Sequence, residues 1–143
     1  MNFMGDLVKM TFSEEQLQGI LLSIGRPELT IYRNERKDVG YEIRIRINVR
    51  ADNYEFLLSI NRGLNANDID SKLKDRESNI RPKPILWVSG IENIIKLCNM
   101  MPDDTPSNKS NWSNFNEAAN IIYMGEHSKQ SGLDELLILK GEI

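Results

Sequence analysis

The sequence predicts an α+β fold in one domain covering residues 1–143, with the order helix, two strands, helix, two strands, helix, and further helices at the C-terminal end. Three observations carry this expectation. A capped, almost wholly apolar segment occupies residues 13–25; residues 43–50 alternate strictly between apolar and polar; and an apolar run at 84–89 passes directly into a helix start.

Residues 1–12 mix Met, Phe, Val and Leu without a clear period and read as a lead-in packed on the domain edge. Ser13 and Gln16 form a capping box, and Gly25 with Pro27 stops the helix they open. Between these signals Gln18 is the one large polar residue, so nearly every side of the helix asks for burial. Gly19 and Ser23, four apart on one face, leave room for a second helix backbone, which makes this an interface helix. Leu29–Arg33 alternates as a strand, and residues 34–40 form a polar turn. The next strand sets Ile43, Ile45, Ile47 and Val49 on one face and Arg44, Arg46, Asn48 and Arg50 on the other. Asp52 and Glu55 read as the cap of a second helix that runs to Gly63. Residues 64–83 are polar and charge-dense, with one short strand expected ahead of a firmer one at Pro84–Ser89. Ser89 and Glu92 read as the cap of a third helix, residues 110–124 as a fourth, and Ser131-Gly132-Leu133 as the opening of a last one.

At 143 residues the chain can bury a core without disulfides or a structural metal. Cys98 stands alone in an apolar helical pattern and reads as a buried thiol. There is no basic, apolar leader and no run long enough to span a bilayer, so a soluble intracellular protein with no membrane partner is expected. An abundance of Asn, Ile and Lys matches AT-rich genomes such as those of organelles, which makes a mitochondrial location an expectation. His127 is the one histidine, with no zinc-type spacing around it, and its expected role is capping or packing after Gly125. No phosphate-binding glycine loop and no Ser-His-Asp set is present, and no cofactor is expected.

The net charge of −3 and pI near 5.3 argue against a polyanionic partner for the chain as a whole, but the charge is unevenly placed. Residues 26–50 hold seven Lys or Arg against four acids, whereas residues 84–143 hold four Lys against eight. The arginine strand could be an ordinary solvated face or a nucleic-acid surface. The second is preferred, because three arginines in line repel one another and an anionic partner relieves that repulsion. At about 7 Å between alternate residues they can follow a phosphate backbone. Arg33 would join them from the preceding strand, and Lys72, Lys74, Arg76, Arg81 and Lys83 either extend the face or decorate a solvated loop.

The nonapeptide Leu17-Gln18-Gly19-Ile20-Leu21-Leu22-Ser23-Ile24-Gly25 resembles the signature helix of the LAGLIDADG homing endonucleases, with Gly19, Ser23 and Gly25 at that family's small positions. The basic strand containing Tyr41, the Trp87 strand, the Ser89 helix start and the Gly125-Glu126-His127 tail follow in the family's order, so the resemblance covers residues 13–140. It implies a curved antiparallel sheet, covered by helices on one face and open on the other, whose concave face lies on DNA. It also implies a two-fold homodimer through Gly19 and Ser23, or a similar contact with another subunit.

The family's catalytic carboxylate precedes the closing glycine, and that position here is Ile24, which cannot hold Mg²⁺. Glu28 lies beyond Pro27, Glu14 and Glu15 lie at the opposite end of the helix, and Lys109 lies where some members carry a basic residue near the scissile phosphate. The reading is therefore of a LAGLIDADG-derived protein that no longer cuts. It would bind RNA or DNA through Arg33, Arg44, Arg46, Asn48 and Arg50, as a homodimer or as a subunit of an organellar RNA-protein assembly such as a ribosome or a splicing complex with a maturase. The alternative is an active endonuclease making Mg²⁺-dependent double-strand cuts in DNA, with its carboxylate supplied from elsewhere.

Overall fold

Ser13 starts the first helix as its sequence predicts: its hydroxyl accepts the Gln16 amide at 3.2 Å, and the Gln16 side chain accepts the Ser13 amide at 2.8 Å. The computed structural model describes residues 11–102 and 111–141, so the lead-in up to residue 10 and Lys109 lie outside the described residues. The elements are α1 (Glu14–Ile24), β1 (Gly25–Arg33), β2 (Tyr41–Arg50), α2 (Tyr54–Ala66), β3 (Lys72–Lys74), β4 (Ile85–Ser89), α3 (Ile91–Met100), α4 (Asn111–Tyr123), a 3₁₀ turn at Glu126–Ser128, and α5 (Gln130–Lys140). The strands form a four-stranded antiparallel open sheet in the order β1-β2-β4-β3, as the α+β reading requires. β3 is antiparallel to β4, with Lys72 opposite Trp87 and Lys74 opposite Ile85.

By its contacts the chain divides into two compact units, one holding the residues up to Arg26 with Asn48–Val88, the other Pro27–Ile47 with the residues from Ser89 onward. In the first, α1 buries Leu17 and Leu21, and α2 buries Leu57, Ile60 and Leu64. Full burial of each such side chain stabilises by about 1.5–3 kcal/mol, and these five carry much of the unit's core. Gly63 was expected to end α2, but the helix continues to Ala66. A Cβ at Gly63 would meet the Leu17 methyls at 3.1 and 3.2 Å, so this glycine serves close approach of the α1 side chain rather than termination. The cap is also one residue later than the sequence suggested. Asn53, not Asp52, accepts the Glu55 and Phe56 amides at 2.9 and 3.4 Å, and Asp52 instead pairs with Lys83 at 2.8 Å.

In the second unit, the one-sided apolar patterns of α3, α4 and α5 bring Ile94, Leu97, Phe115, Ala118, Leu133 and Leu136 into a shared core. Trp112 meets Phe115 edge to face at 6.1 Å. Gly132 lies against the Glu126 carbonyl, where any Cβ would collide, which fixes α5 under the 3₁₀ turn. Lys140 donates to the Leu29 carbonyl at 2.9 Å and ties the end of α5 to β1. The Ser89 cap expected for α3 does not form. Gly90, at φ +85°, takes the N-cap position without a side-chain bond, and the Asn93 amide donates to the Ser89 carbonyl at 3.3 Å. Cys98 is buried, and desolvation pushes its thiol up to about 12, which suits a packing group and not a nucleophile.

Candidate nucleic-acid interface

Alternation along β2 places Glu42, Arg44, Arg46, Asn48 and Arg50 on one side, opposite the buried Ile45, Ile47 and Val49. Arg44 is exposed, and its guanidinium lies 5.3 Å from the centre of the Tyr32 ring on β1, a cation–π contact that holds the charge at the surface in a defined place. Glu42 shares this neighbourhood. The Tyr32 hydroxyl and then the Asn34 amide, the latter at 3.0 Å, hold the Glu42 carboxylate below the usual range, while the bond to Glu42 and then burial raise Tyr32 above its ordinary value. The Arg44 end of the strand is therefore a fixed charge pattern rather than a set of freely moving side chains.

Arg46 is half-buried. Asn48 differs from expectation: only 3 % of it is exposed, so its amide is not presented to a polymer lying on the surface. Arg50 is exposed and grips Glu77 with two bonds, Nε to Oε1 at 2.8 Å and Nη2 to Oε2 at 3.0 Å. Arg33 is exposed at the end of β1, but its position in the alternation is that of buried Leu29, while Arg26, Thr30 and Tyr32 hold the opposite positions. Tyr32 and Glu42 belong to this neighbourhood although the arginine pattern alone does not point to them. Both were accessible from the same alternation, had it been extended back to Glu42 and across to β1. On β3 and β4, Lys72 stands opposite Trp87, and the two side chains share the face that carries Lys74, away from buried Leu86.

Helix α1 presents a second feature. Gly19, Ser23, Ile20 and Ile24, with Phe12 and Phe56, line an open apolar groove of about 570 Å³. Space for a Cβ at Gly19 is entirely open. The helix that reads as apolar on nearly every side thus buries only Leu17 and Leu21 fully in the single chain, and the groove is the remainder of that demand. Ile24 brings a hydrocarbon where the resemblance implies a metal-binding carboxylate, so this position does not fit Mg²⁺. Among the described residues, no three His, Cys, Asp or Glu side chains form a group able to hold a metal ion. His127 sits in the 3₁₀ turn beside Lys37, Asp38, Tyr41 and Glu42 in a cleft of about 250 Å³, its Nδ1 buried. No helix among the described residues is long and apolar enough to cross a membrane.

This architecture is that of the LAGLIDADG homing endonucleases, as the sequence resemblance implied. The homing endonuclease I-TnaI superposes with a TM-score of 0.79 at 15 % identity over 94 % of this chain and 89 % of that one. The archaeal intron-encoded homing endonuclease I-Vdi141I, solved in complex with DNA, gives a TM-score of 0.77 at 22 % identity over 90 % of this chain and 80 % of that one. The LAGLIDADG homing endonuclease I-LtrWI, solved bound to target DNA, gives 0.76 at 16 % identity and covers 92 % of this chain but 44 % of that one. No family model matches the sequence, and no curated protein matches it.

Proposed function

We propose that this protein binds nucleic acid on the β2 side carrying Arg44, Arg46 and Arg50, and that it does not cut what it binds. The observation that carries the reading is the pairing of a retained arginine strand with a hydrocarbon, Ile24, at the place of the catalytic acid. Binding needs only cations spaced to meet phosphates, and the strand keeps these. Metal-assisted hydrolysis needs carboxylate oxygens near the helix interface, and α1 supplies none at that end.

The α1 groove supports assembly. The chain matches most of I-TnaI yet less than half of I-LtrWI, the length relation of a unit used once per chain in one case and with room for a second in the other. In this reading residues 1–143 act as one LAGLIDADG-like domain whose α1 packs on a second copy through Gly19 and Ser23, or on another subunit. The acidic balance outside residues 26–50 favours RNA within a larger ribonucleoprotein, in a mitochondrion, over a freely diffusing DNA binder, because only one face of such a subunit has to be basic.

Sedimentation of the native protein from its source, with and without ribonuclease, tests the RNA part of the proposal. The expected result is a large particle that ribonuclease dissolves. A small dimer under both conditions would overturn the ribonucleoprotein reading and leave double-stranded DNA as the partner.

A further inference from the structure

The segment between β3 and β4 is more highly built than its polar composition suggests. Ser78 and Arg81 close a tight turn twice: the Ser78 amide donates to the Arg81 carbonyl at 2.9 Å, and the Arg81 amide donates to the Ser78 hydroxyl at 2.9 Å. One step out, the Glu77 amide donates to the Lys83 carbonyl at 2.9 Å. The base of the turn is fastened by the Arg50–Glu77 pair and by Lys83 on Asp52, and the chain leaves it through buried Pro84. Pro82 and Pro84 fix two backbone angles along the return arm.

At the tip of this turn stands Ile80, 93 % exposed. A lone exposed apolar residue is ordinary on protein surfaces. Ile80, however, forms one wall of a recess of about 430 Å³, whose other walls include Pro82 and Pro84 and whose rim carries Arg50, Arg81 and Lys83 together with their carboxylate partners Glu77 and Asp52. The recess is large enough for a small planar ligand. Apolar walls inside, and a rim whose three cations outnumber its two carboxylates, match a flat aromatic ring attached to an anionic backbone.

We propose that this recess receives one unstacked nucleobase of the bound polynucleotide, its ring lying against Ile80, Pro82 and Pro84, with Arg81 facing an adjoining phosphate. The proposal rests on the nucleic-acid reading above and adds to it an apolar contact that the arginine strand does not provide. Arg81 has two alternatives open to it, the Glu77 carboxylate at 3.8 Å and an incoming phosphate, and the looseness of the first leaves it available for the second.

The test uses the full chain with mixed-sequence oligonucleotides carrying 2-aminopurine, in deoxyribose and ribose, single-stranded and duplex. Binding of the wild type should raise the fluorescence of the analogue as a base leaves its stack. Ile80→Ala should weaken binding by about tenfold while leaving the salt slope unchanged, since an isoleucine releases no counterions. Ile80→Leu should restore the wild-type affinity, and Arg81→Gln should lower the salt slope by about 1. The ribose and deoxyribose arms identify which polymer supplies the base. Ile80→Ala binding with unchanged affinity and fluorescence overturns the inference and leaves the strand reading intact. A wild type that binds none of these probes at low salt overturns the nucleic-acid reading, and the inference with it.

Discussion

Arg44→Glu combined with Arg46→Glu abolishes most polynucleotide binding: the expected loss is on the order of a hundredfold or more at low salt, and the salt slope falls by about 2 per chain for duplex DNA. Each arginine that meets a phosphate displaces a condensed counterion, so removing two such contacts lowers the slope by about 0.9 apiece, and the new carboxylates add repulsion on top. The fold tolerates the change. Arg44 is exposed and Arg46 half-buried, on the side of β2 opposite Ile45 and Ile47, so the apolar core is left in place and the loss of stability is that of the Tyr32 contact, the attraction of Arg44 to Glu42 and the polar contacts of Arg46. Thermal melting of the double variant near the wild-type temperature, together with a binding titration at several salt concentrations, separates lost charge from lost structure. Affinity and slope both equal to wild type would remove β2 from the binding surface.

The second large effect is expected at α1. Ser23→Glu places a carboxylate on the rim of a groove whose other members include Gly19, Ile20, Ile24 and Phe56. In a two-fold pair the substitution occurs twice near one axis, and each charge must be buried against hydrocarbon or kept apart from its twin. Self-association should weaken on the order of a hundredfold, seen as a shift from dimer to monomer in sedimentation equilibrium at micromolar concentration. If wild type and variant are both monomers there, the groove does not hold a second copy.

Much of this fold was legible locally. The Ser13–Gln16 box, the β2 alternation and the apolar run of β4 are each decided by residues within a few positions of one another, and the sequence expresses such local choices directly. The failures share a cause. Asp52 and Asn53 are both good caps locally; Asn53 takes the position, and Asp52 pairs instead with Lys83, a partner far along the chain. Gly63 carries the same local signal whether it ends a helix or admits a neighbour, and the methyls of Leu17 decide for the neighbour.

The candidate surface follows the same rule. Alternation assigns Arg44, Arg46, Asn48 and Arg50 to one side of β2 but says nothing of what covers that side. Neither the burial of Asn48 nor the two-point grip of Glu77 on Arg50 leaves a mark within the strand. Glu77 changes the electrostatics of the strand end: an arginine already holding a carboxylate must exchange it for a phosphate, and gains only the difference. Arg44 lies over Tyr32 with the Glu42 carboxylate close enough to feel its charge, but without the two-point bond that Glu77 makes to Arg50.

Binding without cutting follows from an arginine strand combined with Ile24 at the end of α1. The most direct measurement incubates the full chain with labelled duplex DNA and with RNA in Mg²⁺, reading the bound fraction by filter retention and strand integrity on a denaturing gel from the same samples. Salt-sensitive retention with every strand intact is the expected result. Mg²⁺-dependent scission that Glu28→Gln removes would contradict it in favour of an endonuclease with a relocated acid, and an absence of retention at low salt would contradict the arginine strand as a binding surface.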